Sequence, residues 1–199
     1  MSNLFKNKSV ILIGPAEYAY SNAIDTENFD IVVRINHSVP VRGITLTKTG
    51  SRCDVYYPNP DLINSPICFS EKIKHIRTDK SHLEFWHSNL EEKVTSYNFD
   101  FYQYCKRIGS NINTGMAAIL DIFFGEPSLF YVTGISFYRG EKIYHQNYSS
   151  KFQERIMLAT RGNISSHNQF LQWKYFSENI LPYIEADDFI KSIREKDFF

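Results

Sequence analysis

Two histidines and one helix entrance are the residues whose types and surroundings could do chemistry. His145 stands in "KIYHQNY", crowded by Tyr144 and Tyr148. His167 stands at the head of "SSHNQFLQWKYFSENI", whose Phe170, Trp173, Phe176 and Ile180 recur at helical spacing, with Ser165 or Ser166 expected as N-cap. The positive end of that helix should lower the pKa of His167 and favour neutral imidazole, the form a general base needs. The third feature is "NINTGMAAI", where Thr114 and Gly115 open an apolar helix. A helix start presents unpaired N–H groups and a partial positive charge, so an anion is its natural guest, and Gly115 would let a phosphate approach the backbone. Each feature has an ordinary explanation beside the chemical one: Asn113 or Thr114 can be a plain N-cap, and either histidine can be a packing or surface residue.

Elements of alternating type must bring these residues together. "SVILIG" is an apolar run stopped at Gly14-Pro15, "NFDIVVRINHS" a second one broken at Arg34 and Asn36, and Cys53 to Tyr57 a third. "PAEYAYSNAI" can hold a helix, "SPICFS" and "KHIRT" weaker strands, and 82–94 a helix with Leu83, Trp86, Leu90 and Val94 on one face. "SYNFDFYQYCKRIG" fits helix or strand. A helix from Thr114 to Phe124, the turn "GEPS", the strand "LFYVTGI" and a last helix after Pro182 complete the series. Strands alternating with helices predict an α/β fold: one Rossmann-like domain over 1–199, with a mostly parallel sheet flanked by helices. Ligands of such sheets lie beyond the carboxyl ends of the strands. That rule collects Gly14, Asn36, His37, Asn59 and Ser136 to Tyr138, with Thr114 and Gly115 nearby.

Composition narrows the classes. The 199 residues are 43% apolar, enough for one well-buried domain and short for two. Twenty-two basic residues balance 22 acidic ones, and no basic stripe stands out, which speaks against a nucleic-acid partner. No segment approaches the ~20 apolar residues of a membrane span, and the start has no signal-peptide core. A cytoplasmic protein is expected, with peripheral membrane association compatible. Three cysteines, Cys53, Cys68 and Cys105, share no metal-like spacing and read as free thiols. Neither G-x-G-x-x-G nor G-x-x-x-x-G-K-[ST] occurs, and no two aspartates stand two apart, so the metal clamp that many diphosphate-sugar enzymes use is missing and no metal or other cofactor is expected. A monophosphate leaving group needs less: neutral donors, a helix N-terminus and a histidine could stabilise it.

The ordered blocks "VILIG", "FDIVVRINHSV", "GSRCDVYYPNP", "INTGMAAI", "LFYVTGISFY", "YHQNY" and "HNQFLQ" resemble the sialyltransferases. The first three look like that family's large motif, "NTGMAAI" through "VTGISFY" like its small motif, "YHQNY" like its third and His167 like the histidine of its very small motif. The resemblance implies a sialyltransferase-like variant of the GT-A fold. It also implies inverting, metal-independent transfer of sialic acid, or a related CMP-activated ulosonic acid such as Kdo, from a CMP-sugar to a hydroxyl of a glycan or glycolipid. By that resemblance Asn36 holds the donor nucleotide phosphate and Thr114 and Gly115 contact the CMP part through side chain and backbone, while Gly14, Asn59, Ser136 and Tyr138 join the expected donor site by the strand-end rule. His145, with Tyr144 or Tyr148, assists departure of the CMP phosphate, and His167 takes the acceptor proton. Three departures stand out. The first turn reads Ile13-Gly14-Pro15-Ala16 without the family's asparagine, Gln172 stands where a glutamate is common, and neither the first nor the small motif contains the cysteine that animal members pair. The first two departures favour the alternative, a catalytically impaired CMP- or nucleotide-binding module on the same fold. A pyrophosphokinase-like enzyme is a third reading, which would need ATP and magnesium.

Overall fold

The computed structural model describes residues 3–21, 23–39, 49–139 and 167–199. Seven strands, β1 (Ser9–Ile13), β2 (Ile31–Ile35), β3 (Val55–Tyr57), β4 (His75–Thr78), β5 (Val94–Ser96), β6 (Leu129–Thr133) and β7 (Glu185–Ala186), form one sheet in the order β5-β4-β3-β2-β1-β6-β7. Every pairing between them is parallel. The central strands β1 and β2 are near-continuous apolar runs because both of their faces are covered. Leu12 sets the register, lying opposite Val33 on one side and Val132 on the other.

Among the described residues four α-helices accompany the sheet: α1 (Phe101–Ile108), α2 (Thr114–Phe124), α3 (Gln169–Asn179) and α4 (Asp188–Ser192). The main core joins Val10, Leu12, Val33 and Val132 of the sheet to Met116 and Ile119 of α2 and Phe176 of α3. A smaller core beyond β3 holds Tyr56, Ile76, Trp86 and Leu90. Because α2 is buried from Gly115 to Ile122, its sequence is apolar on all sides, as a central helix requires.

Asp121 is the one charged residue of that helix, and it is fully buried. Arg77 of β4 meets it through two parallel bonds, Nε to Oδ2 at 2.7 Å and Nη2 to Oδ1 at 2.8 Å. The Tyr57 hydroxyl donates to Oδ2 at 2.6 Å, the Asn98 amide donates to Oδ1, and Arg77 Nη1 donates to Thr95 Oγ1 at 2.9 Å. Burial and the neighbouring carboxylate push the Tyr57 phenol well above its ordinary range, so it remains a donor. A buried carboxylate with this many partners fixes α2 against β3, β4 and β5.

Some local expectations change. The segment after Gly14 is a short 3-10 turn, Glu17–Ser21, rather than an α-helix. The apolar spacing over 82–94 does not make one either: 3-10 turns Lys80–Phe85 and Ser88–Leu90 lead into β5. Side chains compete with the helix there, Asp79 accepting from the Ser81 amide and His87 from the Asn89 amide. Trp86 and Leu90 still reach the smaller core, whereas Leu83 stays exposed. "SPICFS" runs through turns that bury Cys68, while "KHIRT" supplies β4, and the ambiguous aromatic segment supplies the last residue of β5, Ser96, and the whole of α1. All three cysteines are free, and burial pushes the Cys53 thiol up to about 12. Among the described residues no helix is long and apolar enough to cross a membrane.

Arg77→Met should strand the Asp121 carboxylate in the core and cost about 3–5 kcal/mol of stability. Urea unfolding followed by circular dichroism measures this; a change under 1 kcal/mol would show that the ion pair does not organise the helix.

Candidate functional site

The sheet changes winding direction between β1 and β6, and there the two chains leaving the strands touch. The Gly14 amide donates to the Thr133 carbonyl at 2.8 Å and the Ala16 amide to the Gly134 carbonyl at 3.1 Å. A Cβ on Gly134 would lie 2.6 Å from the Gly14 carbonyl oxygen and 2.9 Å from Ala19 Cβ, and Gly134 has φ of +74°. Both positions therefore need glycine, which also gives the sequence signal at Gly14 a packing cause. Asp187, buried at the entrance to α4, accepts from the Gly134 amide at 3.2 Å and from the Ile190 amide at 2.8 Å. It caps the helix and holds the turn. Beside it the Tyr18 ring stacks on Phe189 at 4.3 Å, and burial, followed by the Asp187 charge, pushes its phenol far up.

At the end of β2, "RINHS" is a polar scaffold. Fully buried Arg34 donates to the carbonyls of Arg52 (2.8 Å), Ser38 (3.0 Å), Thr49 (2.7 Å) and Gly50 (3.0 Å). Ser38 Oγ accepts from the Ile35 amide and donates to the Ile13 carbonyl, each at 2.9 Å, which ties β2 to β1. Arg52 pairs with Asp54 at 2.8 Å and donates to the carbonyls of Phe29 and Asp30. Between Arg34 and Ser38 the chain turns through Asn36, in the left-handed region at φ +48°. Its Oδ1 is buried and has no hydrogen-bond partner among the described residues. Such an atom costs about 1–3 kcal/mol unless something occupies it.

The segment after β6 also departs from easy geometry. Phe137 and Tyr138 have φ of +47° and +58°, and backbone of this kind costs about 1–3 kcal/mol per residue. Packing of the Phe137 ring on Phe176 at 5.2 Å offsets part of it. Ser136 is buried, and its carbonyl accepts from the Arg139 amide at 2.8 Å.

The start of α2 lies over these strand ends: a Cβ on Gly115 would be 3.4 Å from Ile135 Cδ1 and 3.5 Å from Ile35 Cδ1. Asn113 is the N-cap, its Oδ1 accepting from the Met116 amide at 2.8 Å, and its carbonyl accepts from the Ala117 amide. The amides of Thr114 and Gly115 take no hydrogen bond among the described residues. The loop before the helix is fastened to the head of α3. Gln172, fully buried, accepts from the Asn113 amide at 3.1 Å and donates to the Asn111 carbonyl at 3.3 Å. Asn113 Nδ2 donates to Gln169 at 3.3 Å, and the Asn168 amide donates to Ser110 Oγ at 2.7 Å. His167 Nδ1 lies 2.8 Å from the same Asn111 carbonyl. A carbonyl only accepts, so Nδ1 carries a proton.

Thus Gly14, Asn36, Ser136, Tyr138, Thr114 and Gly115 all follow strands β1, β2 and β6 or open the helix above them, and His167 is bound to that helix's leading loop. Asn59 follows β3, where its side chain caps a 3-10 turn by accepting from the Leu62 amide at 3.1 Å. His145, Tyr144 and Tyr148 lie outside the described residues. The N-cap of α3 is Asn168, accepting from the Leu171 amide at 3.1 Å, in place of the expected Ser165 or Ser166. An asparagine directly before the first helical turn leaves no need for an earlier cap. Sequence reading passed over the clamps of Arg34 and Asp187 and the bonding of Gln172, although the unusual identity of residue 172 was a visible signal. Among the described residues no group of three or more His, Cys, Asp or Glu could hold a metal ion. A cleft of 460 Å³ at the opposite end of the sheet is lined by Phe123, Pro127, Pro182 and Tyr183 and brings none of these groups together.

No protein-family model and no curated protein matches this sequence. Among solved structures, the chain is similar to a mammalian sialyltransferase in complex with Gal-beta-1-3GalNAc-ortho-nitrophenol, at 12% identity and TM-score 0.47, over 80% of this chain and 68% of that one. It is also similar to a variant of the sialyltransferase CST-II in complex with CMP, at 10% identity and TM-score 0.48, over 92% and 88%. Likeness at this level assigns no residue a role.

Gly14→Ala should drive a methyl into the Gly134 carbonyl and cost about 1–3 kcal/mol. A urea midpoint equal to that of the parent protein would show that the two turns are not in close contact.

Proposed function

We propose that the chain is a CMP-sugar-dependent glycosyltransferase. One observation carries the reading. The start of α2, whose Thr114 and Gly115 amides take no hydrogen bond among the described residues, and His167, with its Nδ1 2.8 Å from the Asn111 carbonyl, are held by one loop at the carboxyl ends of a parallel sheet. The order of the sequence blocks supports the same reading.

In this reading the Thr114 and Gly115 amides and the positive end of α2 face the CMP phosphate, and the unpaired Asn36 Oδ1 accepts from a donor hydroxyl or amine. Phosphate oxygens only accept, so Asn36 would approach a phosphate through its Nδ2 donors. His167 Nε2 removes the proton from the acceptor hydroxyl as its oxygen attacks the anomeric carbon. The bond from that carbon to the phosphate oxygen breaks, its electron pair leaves with CMP, and configuration inverts. A base on one face and a stabilised leaving anion on the other is what an oxocarbenium-like transition state requires. His145 with Tyr144 or Tyr148 completes the leaving-group side. The sugar is sialic acid or a related ulosonic acid, the acceptor a glycan or glycolipid hydroxyl, and the setting the cytoplasm, without a metal. The second reading, a CMP-binding module without catalysis, takes its support from the departures at the first turn and at Gln172.

Incubation with CMP-sialic acid and with CMP-Kdo, each with a panel of sugar acceptors, should release CMP. His167→Ala should lower transfer on the order of 10²–10⁴-fold while CMP affinity holds. Saturable CMP binding without any donor cleavage would favour the module, and neither binding nor cleavage would refute both readings.

A further inference from the structure

We infer that the cleft at the far end of the sheet binds a linear aliphatic polyamine, with its ammonium groups at Glu126 and Glu185 and its methylene chain against Phe123, Pro127 and Tyr183. The cleft has a cause in the strand lengths. Pairing between β6 and β7 joins Tyr131 to Glu185 and Val132 to Ala186, so β6 begins two residues ahead of its partner. Before Glu185 the chain leaves the sheet through the 3-10 turn Leu181–Tyr183, where Pro182 has no N–H to give to a neighbouring strand. The gap that remains has a volume of 460 Å³, within the range of small-molecule sites.

The lining selects the ligand class. Two carboxylates face the cleft, Glu126 from the turn after α2 and Glu185 from β7, and no basic side chain lines it. Glu185 makes no ion pair among the described residues. Glu126 meets the Lys6 ammonium at 3.5 Å, with the two side chains 69% and 58% exposed, so the rim already takes an ammonium, in a contact too exposed to hold it against a competitor. The negative field reaches into the sheet: burial, followed by the charges of Asp187, Asp188 and Glu185, pushes up the Tyr131 phenol. Aromatic surface adjoins the carboxylates. The Phe123 and Tyr183 rings lie 6.3 Å apart at 45°, and Tyr183 is 74% exposed, which leaves its face open to a cation. Glu126 is strained as well, with φ of +55° directly before Pro127, where proline pushes its neighbour towards extended backbone. The Asn7 amide, donating to the Glu126 carbonyl at 3.0 Å, holds it there. Two negative charges without a lining cation require a ligand with at least two positive ones, and the rings beside them favour methylenes between those charges. A polyamine meets both conditions, whereas an anion such as CMP is repelled from this edge.

Titration of the labelled protein with spermidine, read by NMR at the amides of Ser128, Leu129 and Glu185 and at the Tyr183 ring, should give saturable shifts. Butylamine, which has one ammonium, should bind on the order of tenfold more weakly. Glu185→Gln and Tyr183→Ala, both at exposed side chains, should each weaken spermidine binding about 3–30-fold. Glu178→Gln, exposed on α3 and outside the cleft, should leave it unchanged, which separates the cleft from a general attraction of cations to acidic surface. No saturable shift at the cleft, or equal spermidine affinity in the parent protein and both cleft variants, would overturn the inference. Saturation by a lysine-rich peptide but not by spermidine would also overturn it and assign the surface to a protein partner. Spermidine and CMP are read at opposite ends of the sheet, so failure here leaves the glycosyltransferase reading standing, and failure of that reading leaves the polyamine site standing.

Discussion

The placement of α2 is the constraint on which the rest of the molecule depends, and a buried carboxylate imposes it. Removing an ionised aspartate from water is expensive, and only a set of charge-assisted bonds in correct geometry offsets the cost. Asp121 obtains them from Arg77, Tyr57 and Asn98, which come from β4, the end of β3 and the chain leaving β5. The C-terminal half of α2 can therefore occupy one position over the sheet. Its other end is fixed independently, through Asn113 and Gln172 to α3. Held at both ends, the helix points its leading amides at one place, and a dipole stabilises developing charge well only when its direction does not need to reorganise.

The carboxyl edge of the sheet is built to the same tolerance. Gly14 and Gly134 let two backbones touch where the winding reverses, and Arg34 collects four carbonyls, that of Ser38 just after β2 and those of Thr49, Gly50 and Arg52 ahead of β3. Within this rigid surround stand left-handed Asn36, Phe137 and Tyr138, three of the six non-glycine residues with positive φ among the described residues, and a buried amide oxygen of Asn36 without a partner among them. Strained backbone and unsatisfied polar atoms persist where surrounding structure over-determines them.

The sequence disclosed the central strands well because β1 and β2 are buried on both faces, and burial on both faces writes a near-continuous apolar run. It disclosed the 80–96 region poorly. Spacing of Leu83, Trp86, Leu90 and Val94 fits a helix, but Asp79 and His87 bond locally to the backbone and β5 is claimed by pairing with β4, a contact that spacing cannot reveal. In the site, Gly14, Asn36, Thr114, Gly115 and His167 carried signals that topology could gather. The bonds of Asn111, Asn113 and Gln172 did not, since a backbone carbonyl has no letter in the sequence. Asp121 was hidden for a related reason: one aspartate within an apolar helix announces a cost without saying which distant arginine offsets it.

The central claim is that the start of α2 is the anion pole of a nucleotide site, and amide NMR during titration with CMP tests it most directly. The account predicts saturable shifts at Thr114 and Gly115, accompanied by the side-chain amide of Asn36, with little change around Tyr183 in the cleft at the far end of the sheet. Saturation confined to that far cleft, or no shift at Thr114 and Gly115 at saturating CMP, would contradict it.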